Sequence, residues 1–453
     1  MLNRRDALKR LGAFAGAATL APRFLTGCDD PGEAGITHFV LVTMENRSYD
    51  HYLGARALEG LGGNGLIAGM ANQRMDGTSV DVFKASTPCV DDPPHSWTRA
   101  HAQWNGGQMD GFLREYEDDE GEGIDPHVMG YFARPDIPVT WALADEFTTC
   151  DHWFAGILGP TWPNRLFLYA GESGGMISNN RAEVQSLTLD TILHRLKAKG
   201  VGVRYYFTDA PFAPLIRGIT SDMVSPLYNF YDDAEKGTLP QVTYIDPGFS
   251  GNDDHPPHHP ILGQQFLGSI YAALANSPQW ENMLIVFTYD ENGGFYDHVA
   301  PPTIADAREA DGFGQLGFRV PTLVLGPYAK RGYVSPVVYN HASVVRHLEK
   351  MFGLDSITAR VAASPDLSDT IDMARLAAGD ARPAPMTPAV TVDMSMIGEE
   401  CSNVNFKHPS DIELVADTGF FGDLDRRRYK MDDIEMIASV LRRYGVGGIR
   451  KNF

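Results

Sequence analysis

Ile36-Thr37-His38-Phe39-Val40-Leu41-Val42-Thr43-Met44, followed at once by Glu45-Asn46-Arg47-Ser48-Tyr49-Asp50, carries the clearest structural signal in the chain. The first nine residues are rich in β-branched and aromatic side chains and read as a buried strand that ends in polar residues. Met283–Tyr289 repeats the pattern and runs into Asp290-Glu291. Val203–Thr208, Val242–Ile245 and Pro321–Leu325 are further strand candidates. Leu187–Lys199, Gly263–Ala275, Ala342–Phe352 and Asp432–Tyr444 have the periodicity of amphipathic helices. Strands alternating with helices predict an α/β fold, a mainly parallel sheet with helices on both faces. Ligands of such sheets sit beyond the carboxyl ends of the strands. If the first strand and Met283–Tyr289 are central and parallel, then Glu45, Asn46, Asp290 and Glu291 converge on one edge.

Three carboxylates and an amide at one spot suit a hard or borderline divalent ion. Without a cation they would repel one another and raise a pKa. The plainer alternative is that they cap loops or helices. Gly159-Pro160-Thr161-Trp162-Pro163-Asn164-Arg165 precedes the apolar run Leu166-Phe167-Leu168-Tyr169, and Pro163 marks a helix start. Thr161 therefore stands at a helix N-terminus, where N–H groups and the helix dipole favour a phosphate. Its hydroxyl could attack phosphorus if a metal lowers its pKa, although many threonines before helices are simply caps. The loop Asn252-Asp253-Asp254-His255-Pro256-Pro257-His258-His259 offers groups for metal binding or proton transfer. Gly293-Gly294 would let the backbone approach a ligand closely. His95, in Pro94-His95-Ser96-Trp97, and Asn105–Phe112 add polar groups of weaker signal.

The bulk composition sets limits. The 453 residues suffice for one large domain or two average ones. The formal charge is −20, from 38 basic and 58 acidic residues. That balance argues against nucleic acid as a partner, but permits an anionic substrate where a metal inverts the local sign. Residues 54–147 have weak periodicity and predict an irregular cap, with Glu117–Glu122 as a solvated acidic loop. Ala378–Pro388 reads as a linker before a C-terminal extension. The catalytic unit is thus expected over residues 36–377, with linker and extension over 378–453. The N-terminus has Arg4, Arg5, Lys9 and Arg10 before a short apolar run, the layout of an export signal. Asn3-Arg4-Arg5-Asp6-Ala7-Leu8-Lys9 resembles the twin-arginine consensus. Leu25-Thr26-Gly27-Cys28 resembles a lipoprotein box, so residues 1–28 predict export to the periplasm or cell surface, with a possible lipid anchor at Cys28. The other cysteines, Cys89, Cys150 and Cys401, cannot all pair internally; one disulfide is permitted outside the cytoplasm.

Taken together, these segments resemble one family. Met44–Gly54 looks like the opening motif of bacterial phosphoesterases of the phospholipase C and acid phosphatase type. Gly159–Arg165 looks like their nucleophile segment, and Thr288–Val299 like their second metal segment. Asp254-His255-Pro256, His95, Tyr339–Val344 and Met351–Leu354 also match, so the likeness spans roughly Ile36 to Asp369. The resemblance implies an alkaline-phosphatase-like three-layer sandwich and hydrolysis of a phosphoric ester. It implies a divalent metal (Ca, Mg, Zn or Mn) held by Glu45, Asn46, Thr161, Asp290 and Glu291. Thr161 would then be the nucleophile of a phosphothreonine intermediate, His255 would protonate the leaving oxygen, and His95 would contact the phosphoryl group. The implied substrate is a phospholipid or a phosphomonoester. Tyr49 stands where the family more often has Phe. The chain is expected to lack the long C-terminal modules of some large members, which argues against a lipid as the preferred substrate and keeps diester and monoester readings close. A surface-anchored binding lipoprotein of the same fold, without catalysis, is the competing reading; a sulfatase-type hydrolase lacks its usual Cys or Ser context here.

Overall fold

The computed structural model describes residues 35–401, 404, 411–421 and 431–450; the expected export signal and Cys28 lie outside the described residues. Eight strands form the main sheet: β1 (His38–Met44), β2 (Thr148–Cys150), β3 (Val203–Phe207), β4 (Val224–Pro226), β5 (Val242–Asp246), β6 (Met283–Tyr289), β7 (Leu323–Leu325) and β8 (Tyr333–Ser335). Their spatial order is β8-β2-β7-β6-β1-β5-β3-β4. All neighbours are parallel except at β7, which runs antiparallel to both β6 and β2. The two strands with the strongest apolar runs lie side by side at the centre. Every residue of β6 is buried, and so is all of β1 after His38. Continuous apolar runs are what a strand covered on both faces requires.

The main helices are α1 (Trp97–Trp104), α2 (Phe112–Glu120), α3 (Pro138–Glu146), α4 (Thr161–Ala170), α5 (Ile192–Ala198), α6 (Pro260–Ala275), α7 (Ala342–Met351), α8 (Asp411–Asp417) and α9 (Met431–Arg443). Two packing groups cover the sheet. One joins α4, α5 and α7; the other joins α6, α3 and α9. The result is the expected helix–sheet–helix sandwich with a mainly parallel sheet. The register pairs Met44 with Tyr289. Glu45-Asn46 and Asp290-Glu291 therefore leave the sheet next to each other, cross-linked by Asp290 N–H to Met44 C=O at 3.1 Å and Arg47 N–H to Glu291 C=O at 3.1 Å.

Several local expectations need correction. The helix expected from Leu187 begins only at Ile192, because the Thr191 hydroxyl accepts from His194 N–H at 3.2 Å and caps it there. Glu117–Glu122 is not simply a solvated loop: α2 runs to Glu120, and buried Glu117 pairs with Arg74 and accepts from Met75 N–H at 2.7 Å. The cap is more ordered than its composition suggests. Phe112, Leu113, Tyr116, Val128 and Met129 form a small core there, closed by Leu158, Tyr296 and Phe318 from outside the cap.

The C-terminal segment packs onto the same core as the sheet. Tyr271 and Trp280 fasten the 378–388 stretch by donating to Pro385 C=O at 2.7 Å and Arg382 C=O at 2.9 Å. Strands β9 (Val390–Asp393) and β10 (Gly447–Arg450) pair in parallel, and α9 lays buried Ile437 and Leu441 against α6. Cys89 of the cap and Cys401 form a disulfide; Cys150 is buried and free. No helix among the described residues is long and apolar enough to cross a membrane. A disulfide that closes so long a loop constrains the unfolded chain strongly. Cys401→Ser is expected to cost about 2–5 kcal/mol, read as a fall in thermal midpoint under oxidising conditions. An unchanged midpoint would show that the bond contributes nothing.

Candidate active site

Helix α4 begins at Thr161, with Pro160 as its cap residue and Pro163 in its first turn. The loop before it is fixed by Asn164. Its Oδ1 accepts from Ile157 N–H at 2.9 Å, while its Nδ2 donates to Gly159 C=O at 2.8 Å and Pro160 C=O at 3.1 Å. One helical turn beyond Thr161, on the same face, lies Arg165. This guanidinium is buried and reaches three strand ends at once: Asp290 Oδ2 at 2.9 Å, Asp246 Oδ1 at 3.0 Å and Glu45 Oε1 at 3.5 Å. It also donates to Thr43 C=O at 3.3 Å. Burial disfavours its charge, but Asp246, Asp290 and Glu45 outweigh that and hold it protonated. A flexible ammonium could not serve three carboxylates in one fork. Arg165 thereby ties α4 to β1, β5 and β6.

Around it the negative charge is in excess. Burial, then Asp290, push Glu45 well above the usual carboxylate range, with Arg165 opposing. Burial raises Asp290 against the pull of Arg165, and burial takes Glu291 up to about 8 despite nearby His95. Asp290 Oδ1 accepts from Asn46 N–H at 3.2 Å and Glu291 N–H at 2.8 Å, so both its oxygens are already engaged, though each retains acceptor capacity. Asn46 adopts a left-handed backbone, φ 59°. Gly293 packs so close to it that an added Cβ would lie 2.3 Å from Asn46 O. Two buried oxygens there, Asn46 Oδ1 and Glu291 Oε1, have no hydrogen-bond partner. Unpartnered buried oxygens are costly. Together with the neighbouring carboxylates Glu45 and Asp290 they are the kind of donor set a divalent cation would satisfy. Glu45, Asn46, Asp290 and Glu291 could hold such an ion, with Thr161 at its edge. Arg165 bridges Glu45 and Asp290, but among the described residues Glu45, Asp290 and Glu291 do not form a group whose ligand atoms all lie within 4.8 Å of one another.

Above this layer opens a cavity of about 250 Å³, lined by Glu45, Asp92, His95, Thr161, Trp162 and His255 among others. Thr161, His255 and His95 thus meet over the strand ends. Both histidines turn Nδ1 to a backbone carbonyl, His95 to Pro93 at 2.7 Å and His255 to Pro256. Their Nε2 atoms are left to the site. Nε2 of His255 stands 3.8 Å from Asp92 Oδ2. That of His95 stands 3.3 Å from Asn46 Nδ2 and 3.7 Å from Glu291 Oε1. Burial works against a charge on His95, but Glu291 and Asp92 overcome it and push the pKa up to about 9. A cation among those carboxylates would take over the role of that proton.

Sequence reasoning missed four contributors. Asp92 groups with His95 and His255, their ligand atoms all within 4.8 Å of one another; its place three residues before His95 was the available signal. Asp246, at the end of β5, is an Arg165 partner that the strand alone could have flagged. His341 donates from Nε2 to Asp290 C=O at 2.6 Å and accepts at Nδ1 from Trp153; burial takes its pKa down to about 4, fitting a neutral ring that positions Asp290. Helix α8 also lines the cavity, through Asp411, Ile412 and Leu414. The end of the opening motif lies elsewhere. Asp50, Asp297 and His298 cluster, but buried Arg319 already neutralises them, at 3.0 Å from Asp50 and 2.9 Å from Asp297. That network locks the motif to the segment after Glu291.

Removing the central cation of a buried network leaves its carboxylates unpaired. Arg165→Met is expected to lose about 3–5 kcal/mol, read by chemical denaturation. A loss below about 1 kcal/mol, the range of an exposed pair, would mean the network is not a structural anchor.

The Phosphoesterase family profile matches residues 36–355. Non-specific phospholipase C6 of Arabidopsis thaliana is 33% identical over 380 residues, covering 75% of this chain and 72% of that protein. Phospholipase C B of Mycobacterium tuberculosis is 30% identical over 407 residues, covering 75% and 78%. A solved protein of the alkaline phosphatase superfamily from Vibrio parahaemolyticus aligns over 81% of this chain and 79% of its own, with 12% identity and a TM-score of 0.39. On the match across most of its length, the chain belongs to the phosphoesterase family and is a phosphoric ester hydrolase.

Proposed function

We propose that this hydrolase is a metal-dependent phosphodiesterase of the phospholipase C type that works through a covalent intermediate on Thr161. The observation that carries the reading is the meeting of Thr161, His95 and His255 in one cavity over Glu45, Asn46, Asp290 and Glu291. A divalent ion held by Glu45, Asn46, Thr161, Asp290 and Glu291 would supply charge neutralisation and favour the alkoxide form of Thr161. Thr161 Oγ1 attacks phosphorus from the N-terminus of α4, where the helix dipole favours negative charge. The bond from phosphorus to the leaving alcohol breaks, and His255 donates its Nε2 proton to that oxygen, with Asp92 Oδ2 3.8 Å from that nitrogen. His95 stands next to the phosphoryl position and orients Asn46. Water then attacks the phosphothreonyl ester, His255 takes a proton back, and the phosphorylated head group departs.

The diester assignment is supported by the named phospholipases C among its relatives. Export through residues 1–28 and anchoring at Cys28 remain part of the proposal, and would place the enzyme at a membrane surface where such substrates lie.

Thr161→Ala should lower kcat on phosphatidylcholine by about 10⁴-fold or more, while Thr161→Ser keeps measurable turnover. Chelation should abolish activity, and return of one ion among Ca, Mg, Mn and Zn should restore it. Wild-type turnover of a chromogenic phosphomonoester alone would overturn the diester assignment. Full activity in Thr161→Ala would overturn the nucleophile.

A further inference from the structure

The catalytic proposal makes no use of α8, yet this helix forms one wall of the cavity. Asp411, Ile412 and Leu414 face the catalytic groups from the C-terminal segment, far away in sequence. The wall is fastened to the nucleophile helix through one residue. Asn179 Oδ1 accepts from Trp162 N–H at 2.8 Å, and Asn179 Nδ2 donates to Asp411 Oδ2 at 2.6 Å. Further along, Arg181 donates to the Thr418 hydroxyl at 2.8 Å and lies 5.6 Å over the Phe420 ring. Ahead of the helix, the Cys89–Cys401 disulfide and the His259–Glu400 pair at 2.7 Å join the same segment to the cap and to the His255 loop. A wall held from both sides is in place before substrate arrives, which lowers the cost of binding.

Glu45, Asp92, His95, Thr161 and His255 make a polar floor; on the side, Asn179 and Asp411 are polar, and Trp162, Ile412 and Leu414 form an apolar strip beside them. Trp162 and Ile412 are buried, but Leu414 is 50% exposed. A single exposed leucine is unremarkable on a surface; here it is continuous with the site. The cavity, about 250 Å³, is smaller than the roughly 300–1,000 Å³ that encloses a drug-sized ligand. It can take a phosphorylated head group, but a long apolar chain must leave through the mouth.

We infer that Trp162, Ile412 and Leu414 form a specificity lip that receives the apolar part of the leaving group, selecting esters whose leaving alcohol is a lipid. This rests on the phosphodiesterase reading and adds the C-terminal segment to the substrate site. Covering Leu414 with an acyl chain removes apolar surface from water on both partners.

The full-length chain with its native disulfide is assayed on phosphatidylcholine in mixed micelles and on water-soluble p-nitrophenyl phosphorylcholine. Leu414→Asp should lower the ratio of the two kcat/KM values, lipid to soluble ester, by about tenfold or more, the weight of one leucine side chain. Leu414→Met should keep the ratio within about twofold, because it preserves apolar volume. As Leu414 is half exposed, neither change threatens the fold. An unchanged ratio in Leu414→Asp, whether both activities fall together or neither moves, overturns the inference. A wild type that turns over the soluble diester but no lipid overturns it while the phosphodiesterase reading stands. A wild type inactive on both diesters brings down that reading and this one with it.

Discussion

The site depends on one buried guanidinium. Arg165 stands one turn from Thr161 and meets carboxylates from β1, β5 and β6. Each of those acids ends a strand of the parallel sheet, and without a cation between them they could not all remain ionised and buried. The same contacts set the position of α4 on the sheet and hence of Thr161 over the strand ends. Folding and chemistry thus share one interaction: the network that anchors the helix also aims the proposed nucleophile. A comparable arrangement, Arg319 with Asp50 and Asp297, pins the far end of the opening motif. Between these two arginines the segment from Glu45 to Asp50 has little freedom, and Asn46 can be kept in its left-handed conformation.

Much of this was legible in the sequence because it is local. Apolar runs such as Met283–Tyr289 fix strands, and a polar pair directly after each run fixes which side chains stand at the sheet edge. Parallel topology then brings Glu45-Asn46 beside Asp290-Glu291 without further information. Thr161 at a helix start follows from Pro163 and the apolar residues behind it. What was not legible depends on long-range contact. The antiparallel direction of β7 leaves no mark on so short a strand. Glu117 looks like part of a solvated acidic run until Arg74 is seen to neutralise it. The Cys89–Cys401 pairing and the approach of α8 to Thr161 join positions hundreds of residues apart, and no periodicity encodes them.

Those distant contacts alter the role of the C-terminal segment. Composition marks 378–388 as a linker, yet Tyr271, Trp280 and the paired β9 and β10 hold the segment on the core, and α9 shares its hydrophobic interior. An acidic chain, −20 overall, that carries a negatively charged site is a poor host for a phosphate ester unless a cation lies between them. The buried oxygens of Asn46 and Glu291 that lack hydrogen-bond partners are among the groups that would hold such a cation.

The central claim is that Thr161 bonds to phosphorus during turnover. The direct measurement is mass spectrometry of the enzyme quenched in acid during steady-state hydrolysis of phosphatidylcholine. The account predicts that the peptide containing Thr161 gains the mass of one phosphocholine group, and that the adduct is missing when the metal has been removed. An active enzyme that never carries the adduct, or that carries it on another residue, would contradict it.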